Sequence, residues 1–251
     1  VKQVIIIAHT LDDKPSTPSV KFIAFVVASI TKIANGIYKN DGRVISVFII
    51  GINISVPCPV NFNINNKVFK GSTDYICNGY NETNDAVNKI VEIALKNDKT
   101  YILGIGAITN IALAIKKEPK IIDKIEIIWL GGNELGYKDN LEYNFRQDVE
   151  AVKIVLESQV KLTILPCKNI VSNLRIDINT LKENIGNKSQ LCDYLIKRFY
   201  NDGYHGTQET RVIWDISVIA YMIDKNWFET KEISSPNIRE NTSYEMTENR
   251  H

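Results

Sequence analysis

The chain has 251 residues, of which 44% are hydrophobic and 24% charged, the composition of a globular protein able to bury a large core. Thirty Lys and Arg against 29 Asp and Glu leave a formal net charge of +1, so no global field would hold nucleic acid or an anionic membrane surface. Apolar runs fall far short of the roughly 20 residues that span a bilayer, and the opening Val-Lys-Gln-Val lacks a signal-peptide profile, which predicts a cytoplasmic protein.

Taken in chain order, residues 4–8, 44–51, 100–106, 125–131 and 160–165 are short runs rich in Ile and Val. They lack regular polar alternation, as strands covered on both faces do. Helical spacing occupies 20–37, 85–96, 110–115 and 148–158 between them. The alternation predicts an α/β fold with a doubly wound, mostly parallel sheet. Asn84 with Asp85, then Asn110, then Asp148 with Glu150 supply capping chemistry, and Gly36 and Pro119 supply stops. Residues 52–80 hold Pro57, Pro59, Gly71, Gly79 and a run of asparagines, so a long irregular excursion is expected there. A polar stretch at 173–210, helical over 191–200, precedes an apolar helix at 212–223. No repeat or low-complexity linker interrupts the chain, and one domain over 1–251 is expected. Cys58, Cys77, Cys167 and Cys192 are too scattered for a zinc knuckle and read as free thiols of a reducing compartment.

Ligands of an open parallel sheet bind beyond the carboxyl ends of its strands. The loop from Gly131-Gly132-Asn133 to Glu142-Tyr143-Asn144 places amides and carboxylates there, groups that either bind hydroxyls or simply form a loop. Asp215 is the lone charge between Trp214 and Tyr221. A buried carboxylate must be paired, so Asp215 is either a helix cap or a ligand for a cation. Asp12-Asp13 could offer oxygen ligands to Ca²⁺ or Mg²⁺. His9, His205 and His251 have no metal-ligand spacing, and Gly104-Ile105-Gly106 lacks the third glycine of a dinucleotide fingerprint.

The segments ILGIGAITNIALAI at 102–115, Trp129-Leu-Gly-Gly-Asn133, Glu142-Tyr-Asn-Phe-Arg-Gln-Asp148 and Trp214-Asp215, in this order, resemble the inosine-uridine nucleoside hydrolase family. The likeness runs over roughly 85–223 and includes Leu165-Pro166-Cys167. It implies a doubly wound α/β fold and hydrolysis of the N-glycosidic bond of ribonucleosides, in nucleoside salvage, with a Ca²⁺ ion holding the ribose hydroxyls and the attacking water. It also implies Asp215 and the backbone carbonyl of Ile105 as metal ligands, with Asp13 a further candidate. Glu142, Asn144 and Asn133 would sit on the ribose, with His9 beside them, and Trp214, Tyr143 or Tyr204 would stack on the base. No catalytic residue is assigned. The family's His before the last aspartate is Trp214 here.

The family opens with an Asp-x-Asp-x-x-x-Asp-Asp cluster. With Asp12-Asp13 laid on its final pair, the earlier aspartates fall on Ile6 and Ala8. The preferred alignment therefore makes residues 1–8 the family's second strand, with its first strand-helix unit absent. Two functions follow: a calcium-assisted hydrolase, or a catalytically degenerate nucleoside-binding or assembly protein of the same fold. The expected partner is a small ribonucleoside, and a truncated sheet edge predicts a homo-oligomer.

Overall fold

The computed structural model describes residues 3–7, 47–51, 68–201 and 206–246. Six strands form one parallel sheet: β1 (Gln3–Ile7), β2 (Val47–Gly51), β3 (Val68–Lys70), β4 (Thr100–Gly104), β5 (Ile125–Leu130) and β6 (Lys161–Leu165). Their order is β3-β2-β1-β4-β5-β6. Crossovers on β4, β5 and β6 are helices α1 (Asp85–Lys96), α2 (Thr109–Lys117), α3 (Tyr143–Gln147) and α4 (Val149–Glu157). Further on lie α5 (Ile178–Ile185), α6 (Gln190–Tyr200) and α7 (Ile216–Ile223). The fold is α/β and doubly wound, as expected.

Apolar residues on both faces of each central strand explain the two-sided covering. On β4 and β5, Ile102, Ile127 and Trp129 join one core with Ile90 of α1, Ile111 of α2 and Val155 of α4. Their neighbours Tyr101, Leu103, Ile128 and Leu130 join a second core with Val218 and Ile219 of α7. Successive side chains of a strand point to opposite faces, so unbroken apolar strands need helices on both sides.

Several sequence expectations change. The predicted irregular excursion contains the three-residue β3 and a short 3₁₀ turn at Ile76–Asn78; so brief a strand leaves no periodicity to read. Asn84 does cap α1, accepting from the Val87 N–H at 2.9 Å. Asn110 caps nothing: it lies inside α2, whose N-cap is Ile108, and its Oδ1 accepts from Ser72 N, Ser72 Oγ and Asn84 Nδ2. The last apolar helix begins at Ile216, because Thr210–Val212 pairs as β8 with β7 (Arg175–Asp177) in a small antiparallel sheet. A two-stranded hairpin, β9 (Asn237–Ile238) and β10 (Tyr244–Glu245), follows. The predicted helix at 20–37 lies outside the described residues. Strand β1 is paired on both sides, with β2 and with β4, and the sheet's edges are β3 and β6.

Candidate active site

Strand register brings the candidate loops to one edge. Ile7 of β1 pairs with Gly104, Gly104 with Trp129, and Leu130 with Leu165, so the chain leaves β1, β4, β5 and β6 at the same carboxyl edge. His9 and Asp13, which follow β1, and Asp12 and Tyr204 lie outside the described residues.

The turn after β5 folds back on itself through polar groups. Glu142 occupies the N-cap of α3 and takes three backbone N–H groups: Gly132 at 3.0 Å, Asn144 at 2.9 Å and Phe145 at 3.0 Å. Three donors favour the carboxylate, yet desolvation outweighs them and its pKa is raised. Asn144 is buried and donates its Nδ2 to the Leu130 carbonyl at 2.8 Å. Asn133 is also buried. Its Nδ2 donates to the Asp139 carbonyl at 2.9 Å and its Oδ1 accepts from Lys168 N, so much of its amide is engaged in holding the turn. Asn140, which nothing in the sequence singled out, accepts from Asn133 N at 2.6 Å and is 1% exposed.

Asp215 stands at the N-cap of α7 and makes no side-chain cap hydrogen bond. Of the two roles open to it from sequence, the cap is therefore ruled out. Burial pushes its pKa up to about 7, and the charge of Glu142 adds to the rise. The two carboxylates thus face one another electrostatically. Cys167, two residues beyond β6, feels both carboxylates: burial, with the charges of Glu142 and Asp215, pushes its thiol pKa up. A backbone bond ties the turns after β5 and β6 together, since Cys167 N donates to the Gly132 carbonyl at 2.8 Å. Ile105, 2% exposed, packs in the apolar cluster that holds Cys167, Val218 and Ile219. Trp214 is exposed beside Asp215. Tyr143 is also exposed, and the Arg146 guanidinium lies 5.7 Å from its ring centre.

Two donors from the predicted metal set, the Asp215 carboxylate and the Ile105 carbonyl, are oxygen atoms of the kind a hard cation takes. A desolvated carboxylate with a second carboxylate as its electrostatic neighbour is the environment in which a cation lowers the free energy most. Among the described residues no group of three His, Cys, Asp or Glu side chains could hold a metal ion. No helix among them is long and apolar enough to cross a membrane.

A family model described as inosine-uridine preferring nucleoside hydrolase matches residues 38–247. The chain is 25% identical over 166 residues to the inosine-uridine preferring nucleoside hydrolase of Crithidia fasciculata, covering 59% of this chain and 50% of that protein. It is 27% identical over 165 residues to the pyrimidine-specific ribonucleoside hydrolase RihB of Escherichia coli, covering 61% and 51%. These matches span about half the length of the curated relatives. A solved inosine-guanosine nucleoside hydrolase superposes with a TM-score of 0.68 at 15% identity, covering 96% of this chain and 85% of that one, a likeness of fold.

Proposed function

Because the chain belongs to the inosine-uridine preferring nucleoside hydrolase family, we propose that the carboxyl edge of the sheet binds a ribonucleoside and cleaves its N-glycosidic bond with water, yielding base and ribose. The observation that carries the reading is Asp215, a desolvated carboxylate without a capping role that shares its electrostatic environment with Glu142. Glu142 and Asn144 would take ribose hydroxyls, Asn133 would hold the turn that presents them, and Trp214 would stack on the base, with His9 near the sugar. Asp215 and the Ile105 carbonyl, with Asp13, would hold a calcium ion. When bound, that ion would lower the pKa of a water and fix the sugar hydroxyls. Bond cleavage builds positive charge on the ribose, and the two carboxylates stabilise that charge in a site with little water to screen it. Non-catalytic nucleoside binding is the second reading, favoured because Ile6 and Ala8 take the places of the family's two earlier aspartates whenever Asp12-Asp13 is laid on its final pair.

The test is release of base from inosine and from uridine, with calcium present and with calcium chelated. Calcium-dependent release is expected. Stabilisation by nucleoside without release selects the second reading, and folded protein showing neither effect removes both.

A further inference from the structure

The C-terminal hairpin is docked on the turn that carries Glu142. Asn140 donates its N–H to Thr242 Oγ1 and its Nδ2 to the Thr242 carbonyl, both at 2.8 Å, and Asn241 Nδ2 donates to the Lys138 carbonyl at 3.1 Å. From β10, the Tyr244 ring meets Phe145 edge to face at 5.9 Å between centres, and Phe145 in turn stacks on Trp129. This packing drives the Tyr244 hydroxyl against Gly132. A Cβ on Gly132 would stand 2.5 Å from that oxygen and 3.0 Å from Asn140 Oδ1, and Gly132 has φ +70, so glycine is required twice over.

The hydroxyl is sealed from solvent and has no hydrogen-bond partner among the described residues. A buried hydroxyl left without a partner is unfavourable, and such groups in native proteins call for an explanation. Two acceptors flank the same glycine: Asn140 Oδ1, which lies 3.0 Å from the place of the missing Cβ and already accepts from Asn133 N, and Glu142, whose carboxylate takes the Gly132 N–H. Burial and the charge of Glu142 raise the phenol's pKa, so it remains a donor.

We propose that Tyr244 is a positioning residue of the sugar-binding turn: its hydroxyl donates to Glu142 once a ligand hydroxyl engages that carboxylate from the open side. This inference rests on the nucleoside-binding reading. It makes the hairpin, distant in sequence from the loops it covers, part of the site.

Tyr244→Phe keeps the ring and its contact with Phe145. In the ligand-free protein it should melt at the same temperature or a few degrees higher, since a buried polar group without a partner is removed. Its affinity for ribose and inosine, read calorimetrically, should fall about tenfold, the scale of one hydrogen bond to a charged group. A ligand-free variant that melts lower shows the hydroxyl already bonded in the resting protein and overturns the inference. Unchanged affinity also overturns it while leaving the nucleoside site standing. If the unaltered chain binds neither ribose nor inosine, the function proposed above fails, and Tyr244 loses its role with it.

Discussion

At Asp215 desolvation acts on the charged form, and this has a signed consequence. Its pKa rises from 3.8 to about 7 on folding, so the folded protein holds that proton more tightly than the unfolded chain. The corresponding stability is fully present below about pH 4 and is lost as pH rises through about 7. In calcium-free protein, Asp215→Asn should therefore raise stability at pH 8 by about 1–2 kcal/mol, allowing for partial solvent screening, with the gain closing toward pH 4. Urea unfolding at pH 4, 6 and 8 with a chelator checks this; a variant weaker than the parent at pH 8 contradicts it. Asp148 makes the contrast. It is fully buried, and it accepts from Ile76 N at 2.9 Å, Cys77 N at 3.2 Å, Thr109 Oγ1 at 2.6 Å and Ala151 N at 3.1 Å. Four donors satisfy that carboxylate, whereas Asp215 makes no cap hydrogen bond to its own helix. Sequence marked Asp148 as charge for a first turn, and it is that, but its hold on the turn at 76–77 joins segments some 70 positions apart and had no local signal.

Elements answer to register. The amino edge of the sheet carries Glu126 on β5, its side chain 1% exposed, with the ammonium groups of Lys99 at 2.7 Å, Lys225 at 3.0 Å and Lys161 at 3.4 Å. Burial alone would raise the carboxyl pKa; hydrogen bonds from Lys99 and Lys225 and the charges of Lys225 and Lys161 outweigh it and bring the value down to about 2. The sign is opposite to that at Asp215: this stability is present above pH 4.5 and is lost as pH falls toward 2. Glu126→Gln should lower stability at pH 7 by about 1–3 kcal/mol, a range reduced because the lysines are half exposed, and the deficit should vanish near pH 2. Thermal melts of both proteins across that range decide it, and a deficit independent of pH would contradict the assignment. Helix α1 was legible to the residue because amphipathic spacing, an Asn84 cap and a terminal Lys96 agree. Helix α7 was legible only in part. Residues 212–214 have the apolar character of its continuation, but Val212, with Thr210 and Arg211, pairs with an antiparallel partner that no local pattern announces.

At the scale of the whole molecule, the sheet order places β1 inside, between β2 and β4, and among the described residues the outermost strands are β3 and β6. In the segments that follow β5 and β6, Leu135, Leu141, Ile170 and Leu174 are exposed large apolar side chains. Self-association is the expected outcome in sedimentation, and Leu141→Glu, at a residue 60% exposed, should weaken it without lowering the melting temperature. A monomer at all concentrations would refute this expectation.

The sequence by itself determined five of the six strands of the central sheet and the identity of its carboxyl-edge loops, because unbroken apolar strands and helix periodicity are local and need no partner to be read, whereas β3 and the strand order came only with the fold. It also singled out Glu142, Asn144 and Asp215 as candidates, through motifs that lie within a few residues of strand or helix ends. Only tertiary structure decided that Asp215 is not a cap, that Asn133 is largely engaged within its own turn, that Asn110 bonds Ser72 and Asn84, and that Cys167 and Tyr244 come against Gly132. Hydrogen-bond partners and desolvation depend on chain segments tens of residues away, and no periodicity within one segment encodes what another will bring against it.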